Sequence, residues 1–275
     1  MSPTLKKVLW HAAMIVVVLI TMYPVLQIFS ISLRPGDQLY STSLDLIPEG
    51  ASLESFRTIL FEKPFLRWLG NSLLVALSTA ILGVTLASTA AYALSRFRLP
   101  GQKGILFAIL TTQMFPATML LLPMYLLMRN LGLVNSLVGV ILAYTATALP
   151  FCIWTMKGYY DTIPRSLEEA AMIDGMTEVG AFWRVTLPLS APALVITFLF
   201  SFLAGWSEFI VARTLIVSRE LNTLPLGLES LATTFQTEWA NYAAGSLLVA
   251  VPVVALFLGL SKFLVEGLTH GGVKG

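Results

Sequence analysis

The stretch 163–188, IPRSLEEAAMIDGMTEVGAFWRVTLP, lies between two long apolar runs of a chain that is otherwise mostly hydrophobic. Pro164 suits the first turn of a helix, where its missing N–H has no partner to lose. Glu168 and Glu169 follow near the positive end of that helix. Leu167, Ala170 and Ala171 share one face at i, i+3, i+4 spacing, and the alanines keep it thin enough for a narrow cleft. Asp174 and Gly175 end the helix, glycine being suited to a left-handed cap. Thr177 then caps a second short helix with Glu178 in its first turn. Pro188 and Pro192 open the next apolar run. The expected result is a helix–Gly–helix elbow joined to two spans, with an acidic rim suited to a basic pocket on a soluble partner.

The surroundings identify the medium. The chain has 275 residues, 56% hydrophobic and 12% charged, whereas soluble domains carry about 25% charged residues. A bilayer core needs about 20 apolar residues per helix. Six runs qualify: 8–33, 71–94, 104–128, 133–156, 189–215 and 243–265. The first follows Lys6 and Lys7 like a signal peptide, but it is too long for one and no small-residue cleavage site closes it. It reads as a retained span. The fold class is therefore an all-α integral membrane protein with six transmembrane helices and the polar elbow between helices four and five.

Orientation follows from Lys and Arg in short loops. With six crossings, Lys6, Lys7, Arg96, Arg98, Lys103, Lys157, Arg165, Arg184, Lys262 and Lys274 fall on one side. Arg34, Arg57, Lys63, Arg67, Arg129, Arg213 and Arg219 fall on the other, at lower density. Both termini and the elbow are expected in the cytoplasm. The net charge of +2 is small and scattered, leaving no footprint for nucleic acid. Cys152 alone excludes an intrachain disulfide framework and reads as a small buried side chain. His11 and His270 lie far apart without a metal-ligand pattern.

The long loop 34–70 holds a candidate short helix capped by Ser52, with Phe56, Ile59 and Leu60 on one face. Gly83, Ala87 and Ala91 form a small-residue stripe for close helix packing. Pro116, Pro123 and Pro150 are candidate kinks. The loop 218–241 carries Gln236, Glu238 and Trp239 and is long enough to reach an external partner. The end, 268–275, reads as a flexible tail by composition. Polar residues inside the membrane are candidates for a solute pathway: Gln113, Tyr144, Thr147, Trp206, Ser207 and Glu208. Interhelical packing is the alternative for each. On a continuous helix from Pro188, Glu208 would lie about 30 Å along, near the far interface. No P-loop, serine elbow or paired-carboxylate pattern is present, so any driving energy must come from a partner.

The elbow also carries a resemblance. Glu169-Ala170-Ala171, three residues, Gly175, nine residues, then Val185-x-Leu187-Pro188 resembles the EAA loop of importer-type ABC permeases, with Val185 where isoleucine is usual. Asn71-Ser72-Leu73, the run from Ala90 to Phe97, and Arg129-Asn130-Leu131-Gly132-Leu133 are similar to carbohydrate-uptake permeases. Trp206-Ser207-Glu208-Phe209 resembles a Trp-Asn-Glu-Phe signature of that family, with serine replacing asparagine. The closing Gly-Leu-Thr-x-Gly-Gly-Val-Lys-Gly is similar to the tail of the second, MalG-type permease subunit of maltose-type importers.

The resemblance implies a single type-1 transmembrane domain over 1–275, with its core at about 71–265, in a bacterial or archaeal inner membrane. It implies no cofactor bound by this chain, ATP and Mg being held by the partners. Those partners would be a second permease subunit of the MalF type, two ATPase subunits of the MalK type and an extracytoplasmic sugar-binding protein. Glu168, Glu169, Ala170, Ala171, Asp174, Gly175, Leu187 and Pro188 would couple to an ATPase. Gln236, Glu238 and Trp239 would meet the binding protein, and the tail would lie between the ATPase subunits. The cargo expected is a di- or oligosaccharide such as maltose, maltodextrin or trehalose. The EAA spacing fits an importer of a non-sugar solute equally well, and argues against an intramembrane enzyme with a catalytic loop.

Overall fold

The computed structural model describes residues 3–37, 45–232 and 237–272, with backbone alone at residue 3 and over 264–272. The described residues are almost entirely helical. They form two compact units, Met1–Leu66 with Gly227–Pro252, and Arg67–Leu226 with Val253–Gly275.

In the first unit, α1 (Pro3–Ser32) is a long apolar helix with most of its surface exposed. The short α2 (Glu54–Arg57) continues into a π-helical turn, Thr58–Glu62. Ser52 Oγ accepts from the Glu54 N–H at 3.0 Å, just ahead of that helix. Its inner face is Ser55 and Ile59, with Phe56 and Leu60 half-buried. Lys63 Nζ pairs with Glu238 Oε1 at 2.8 Å. Glu238 precedes the last helix, α13 (Trp239–Gly272), whose opening turns belong to this unit. Burial pushes the Glu238 carboxyl up, but hydrogen bonds from Lys63 and Asn241 and the Lys63 charge outweigh it and hold it below its ordinary value.

The second unit is built around α3 (Phe65–Arg96), α6 (Leu137–Tyr160) and α10 (Ala191–Ser207). The small-residue stripe brings α3 and α10 together. Ala87 and Ala91 are fully buried. A Cβ on Gly83 would lie 3.2 Å from Ser201 Oγ, and one on Gly205 would lie 3.1 Å from the Ala76 Cα. Cys152 is buried against Ser201, Sγ to Oγ 3.0 Å. Ala87, Ala91, Cys152, Met156, Tyr160 and Phe182 share one apolar cluster. Val75, Val140, Tyr144, Val211 and Leu215 belong to another.

Among the described residues, four helices are long and apolar enough to cross a membrane: Thr4–Ser32, Phe65–Arg96, Leu137–Tyr160 and Trp239–Phe263. Two bent helix pairs, Gln102–Thr112 with Ala117–Asn130 and Glu178–Leu189 with Ala191–Ser207, bring the number to as many as six if each counts as one span, the number expected from sequence. The run 104–128 divides into α4 (Gln102–Thr112), a 3₁₀ turn Ala117–Leu120 and α5 (Leu121–Asn130), bent by 99°. Pro116 sits at that bend with ψ 128, outside helical values. Pro123 falls in the first turn of α5, where the N–H that proline lacks is not needed, and Pro150 lies within α6 without ending it.

The expected continuous helix from Pro188 to Glu208 is also corrected. It bends by 77° between Leu189 and Ala191, and α10 stops at Ser207. Pro192 cannot donate to the carbonyl of Pro188 and its ring would clash there. After Glu208 and Phe209 the chain resumes as α11 (Ile210–Leu215). The tail is corrected in part, since helix persists to Gly272; residues 273–275 lie outside the described set.

Two expectations follow. Gly205→Leu forces α10 away from α3 and should cost about 1–3 kcal/mol, read as a lower unfolding midpoint in detergent. Gly158→Ala, with nothing within 4 Å of its added Cβ, should not lower it. The second concerns the Lys63–Glu238 pair. Its contribution is present above the ordinary Glu value of 4.5 and is lost as pH falls through the lowered folded value. The stability difference between wild type and Lys63→Met, up to about 1 kcal/mol for a part-exposed pair, should be present at pH 7 and vanish on acidification.

Candidate functional site

The elbow begins at α7 (Arg165–Ile173), with Pro164 just outside it as the N-cap residue rather than in its first turn. Its end is a Schellman motif. The Met176 N–H donates to the Ala171 carbonyl and the Gly175 N–H to that of Met172, both at 3.0 Å. Gly175 has φ +89, a value that excludes most side chains. Thr177 Oγ1 then accepts from the Gly180 N–H at 3.1 Å, capping α8 (Glu178–Ala181). A π-helical turn, Phe182–Thr186, and the short α9 (Leu187–Leu189) lead into α10.

Of the three residues expected on the face that enters a partner's cleft, Leu167 and Ala170 are exposed and Ala171 is buried. The residue that shares the buried face is Glu168, 5% exposed. Glu169, Asp174 and Glu178 are exposed, so the acidic rim lacks Glu168. Leu167, Ile173, Val179 and Trp183 of the elbow are exposed too, Ile173 being 85% exposed. Of these, the sequence reading singled out Leu167 alone.

Glu168 is drawn inward by Arg96, the last residue of α3. Arg96 Nε donates to Glu168 Oε1 at 2.7 Å. Its Nη1 donates to the Tyr160 carbonyl at 2.9 Å and its Nη2 to the Ile163 carbonyl at 3.0 Å. Thr186 Oγ1 donates to Glu168 Oε1 at 2.7 Å, and the Tyr92 hydroxyl to Oε2 at 3.1 Å. One buried knot thus joins the end of α3, the end of α6, α7 and the turn before α9. Alongside it, Asp161 accepts from Lys157 at 2.6 Å and Ser95 at 2.7 Å. Burial raises the Asp161 carboxyl, yet these bonds and the nearby positive charges hold it below its ordinary value. Arg165 Nη2 donates to the Ser95 carbonyl at 2.7 Å. A cleft of about 160 Å³ opens beside the knot, lined in part by Glu169, Glu178 and Arg165.

Among the pathway candidates, four are linked. Gln113 Nε2 donates to the Thr147 carbonyl at 3.2 Å, Thr147 Oγ1 to the Tyr144 carbonyl at 2.9 Å, and the Tyr144 hydroxyl to the Glu208 carbonyl at 3.1 Å. The Glu208 carboxylate accepts the Val211 N–H at 3.0 Å and that of Ala212 at 3.3 Å, capping α11. Ser207 Oγ donates to the Leu203 carbonyl of its own helix at 2.7 Å. Trp206 is buried and stacked on Phe202, and its Nε1 has no hydrogen-bond partner among the described residues.

Of the three candidates in the loop 218–241, Gln236 lies outside the described residues. Glu238 is engaged by Lys63 and by Asn241 Nδ2 at 2.8 Å, and Trp239 is 37% exposed. A polar cavity of about 550 Å³ in that unit is lined by Arg34, Glu54, Glu238 and Asn241, among others. The earlier part of the loop is fastened to the head of α3. Asn71 Nδ2 donates to the carbonyls of Glu220 and Asn222 at 2.9 Å each, and Ser72 Oγ accepts the Leu224 N–H at 2.7 Å. Asn135, also missed from sequence, has φ +56 and accepts the N–H groups of Val217 and Ser218 at 3.0 and 2.9 Å. Its signal was an Asn just before the Ser136 cap, since Asn tolerates the left-handed region. Among the described residues, no group of three His, Cys, Asp or Glu side chains could hold a metal.

The described residues form a multi-span helical protein with a structured elbow, and comparison with known proteins identifies relatives of this fold. The chain is 38% identical to the maltose/maltodextrin transport system permease protein MalG of Salmonella typhimurium, over 100% of this chain and 98% of that one. It is 35% identical to the diacetylchitobiose uptake system permease protein DasC of Streptomyces coelicolor, over 92% of each. Its fold is shared with a solved bacterial ABC transporter involved in alginate import, at TM-score 0.82 and 24% identity, covering 95% of this chain and 98% of the other. The profile of one family, described as binding-protein-dependent transport system inner membrane component, matches residues 83–269. With that match and those relatives, the chain belongs to the family of binding-protein-dependent transport system inner membrane components.

Proposed function

We propose that this chain is a permease subunit of an ATP-driven, binding-protein-dependent importer that moves a di- or oligosaccharide into the cytoplasm. The cargo reading is supported by the relatives, whose names specify maltose or maltodextrin in one case and diacetylchitobiose in the other. The observation that carries the coupling reading is the elbow. Its outer face mixes carboxylates with exposed apolar side chains, and its inner face is fixed by a buried ion pair. Such a face suits a cleft on a soluble partner, apolar contact supplying affinity and charge supplying register.

On this reading the whole chain is one transmembrane domain of a multi-pass inner-membrane protein, with the elbow and both termini in the cytoplasm. The assembly holds a second permease subunit, two ATPase subunits that bind ATP and Mg, and an extracytoplasmic binding protein. The chain itself carries no P-loop and performs no catalysis. Glu169 faces a basic residue of the ATPase, and Glu168 acts from inside. ATP binding closes the ATPase pair, draws the two elbows together and favours an outward-facing conformer; hydrolysis releases it. The linked set Gln113, Thr147, Tyr144 and Glu208 borders the sugar pathway, and the polar cavity near Glu238 and Trp239 faces the binding protein.

Two variants test the coupling reading. Glu169→Lys should lose the ATPase subunits on co-purification, or lose transport, while the protein still inserts in the membrane. A fully active complex carrying that change contradicts docking through Glu169. Gly175→Val places a β-branched residue at φ +89, at a cost of about 1–2 kcal/mol. ATPase activity stimulated by the binding protein should fall, and normal stimulation would count against a rigid elbow. The cargo is read by the same assay across a panel of mono-, di- and oligosaccharides. Stimulation by amino acids or peptides alone would contradict the sugar reading.

A further inference from the structure

The elbow is continuous in sequence with α6 and α10, but the link from α6 is only the short turn 161–164. A turn of that kind would act as a hinge unless something braced it. Its own backbone bonds and the contacts of Ser95 with Asp161 and Arg165 hold it in part, and Arg96 adds a multidentate brace from the same third helix. Its guanidinium holds the Tyr160 carbonyl just before the turn at 2.9 Å and the Ile163 carbonyl within it at 3.0 Å, while Nε holds Glu168 beyond it at 2.7 Å. Both side chains of the Arg96–Glu168 pair are 7% exposed. The planar fork suits this multidentate task, and a cation suits the negative C-terminal end of α6. Thr186 joins the far side of the elbow to the same carboxylate at 2.7 Å. The adjacent glutamates therefore face different ways, Glu169 outward and Glu168 into the knot.

Resting on the permease reading above, we infer that Arg96 is the positioning residue through which movement of the elbow enters α3. Spans two, four and five then receive the stroke of the ATPase together. Without the pair, the turn 161–164 flexes and part of the stroke is lost before it reaches the spans. Arg96 touches neither cargo nor nucleotide in this role; it acts through Glu168.

The test uses the assembled transporter in lipid nanodiscs, with its ATPase subunits and loaded binding protein. Arg96→Met/Glu168→Leu removes both charges at once, which avoids leaving one buried and unpaired. The double variant should co-purify with its partners at wild-type yield and keep basal ATPase activity. Stimulation by the loaded binding protein, and sugar moved per ATP, should fall roughly tenfold, within the usual range for coupling between distant sites. Wild-type values of both would overturn the inference, leaving the pair as a fold element. Where the double variant does not assemble, Arg96→Lys decides, because it keeps the charge but loses the fork. Reduced stimulation supports the inference and unchanged stimulation overturns it. A wild-type complex that responds to no binding protein would instead overturn the permease reading itself.

Discussion

A buried cation needs partners, and the needs of Arg96 organise one end of this molecule. Leaving one member of a buried pair alone costs about 3–5 kcal/mol, so the groups around Arg96 are held to it. They come from α3, the end of α6, α7 and the turn before α9. The Tyr160 carbonyl already accepts the Ile163 N–H at 3.1 Å, so Arg96 adds a second, charged donor there and takes up the Ile163 carbonyl as well. The pair therefore does two tasks. It ties the end of a membrane span to its neighbour, and it fixes the angle at which the elbow leaves that span.

The knot can form only because the helices beneath it come close. Ala87 and Ala91 present almost no side chain, and Gly83 and Gly205 present none, so α3 packs against α10 at near-backbone distance. Aromatic rings fill the space just below the ion pair. Tyr92 lies 4.6 Å from Phe182 and 6.2 Å from Tyr160, centroid to centroid. The Tyr92 hydroxyl then reaches Glu168 at 3.1 Å. Packing of small residues thus places the ring, and the ring helps place the charge. A soluble partner pressing on Ile173 or Glu169 would push on a braced body.

The features read correctly from sequence were those that local chemistry determines. Gly175 as a left-handed stop and Thr177 as a cap need only their neighbours, and both adopt those roles. Six apolar runs were visible, as was the EAA spacing that gave the family. What sequence could not separate was Glu168 from Glu169. They are adjacent and identical; Arg96, 72 residues away, together with Tyr92 and Thr186, distinguishes them. The helix breaks were legible in kind but not in place. Pro116 accompanies a bend of 99° while Pro150 leaves its helix whole, because the former lies between two helices that point differently. Glu208, by sequence a pathway candidate near the far interface, caps a helix that composition did not reveal. The exposed apolar residues of the elbow other than Leu167 were hidden by its acidic composition.

Braced in this way, the elbow and α3 move as one body. A pair of distances measured by spin labels in the assembled complex tests this. One label replaces Ile173 on the elbow and the other replaces Arg98, just past the end of α3, with Cys152 changed to Ala. A second sample labels only Ile173 and its counterpart on the partner permease. Adding ATP should change the distance between the two elbows and leave the Ile173–Arg98 distance unchanged. A change in the distance within the subunit as large as that between the elbows would mean that the elbow hinges freely on α3.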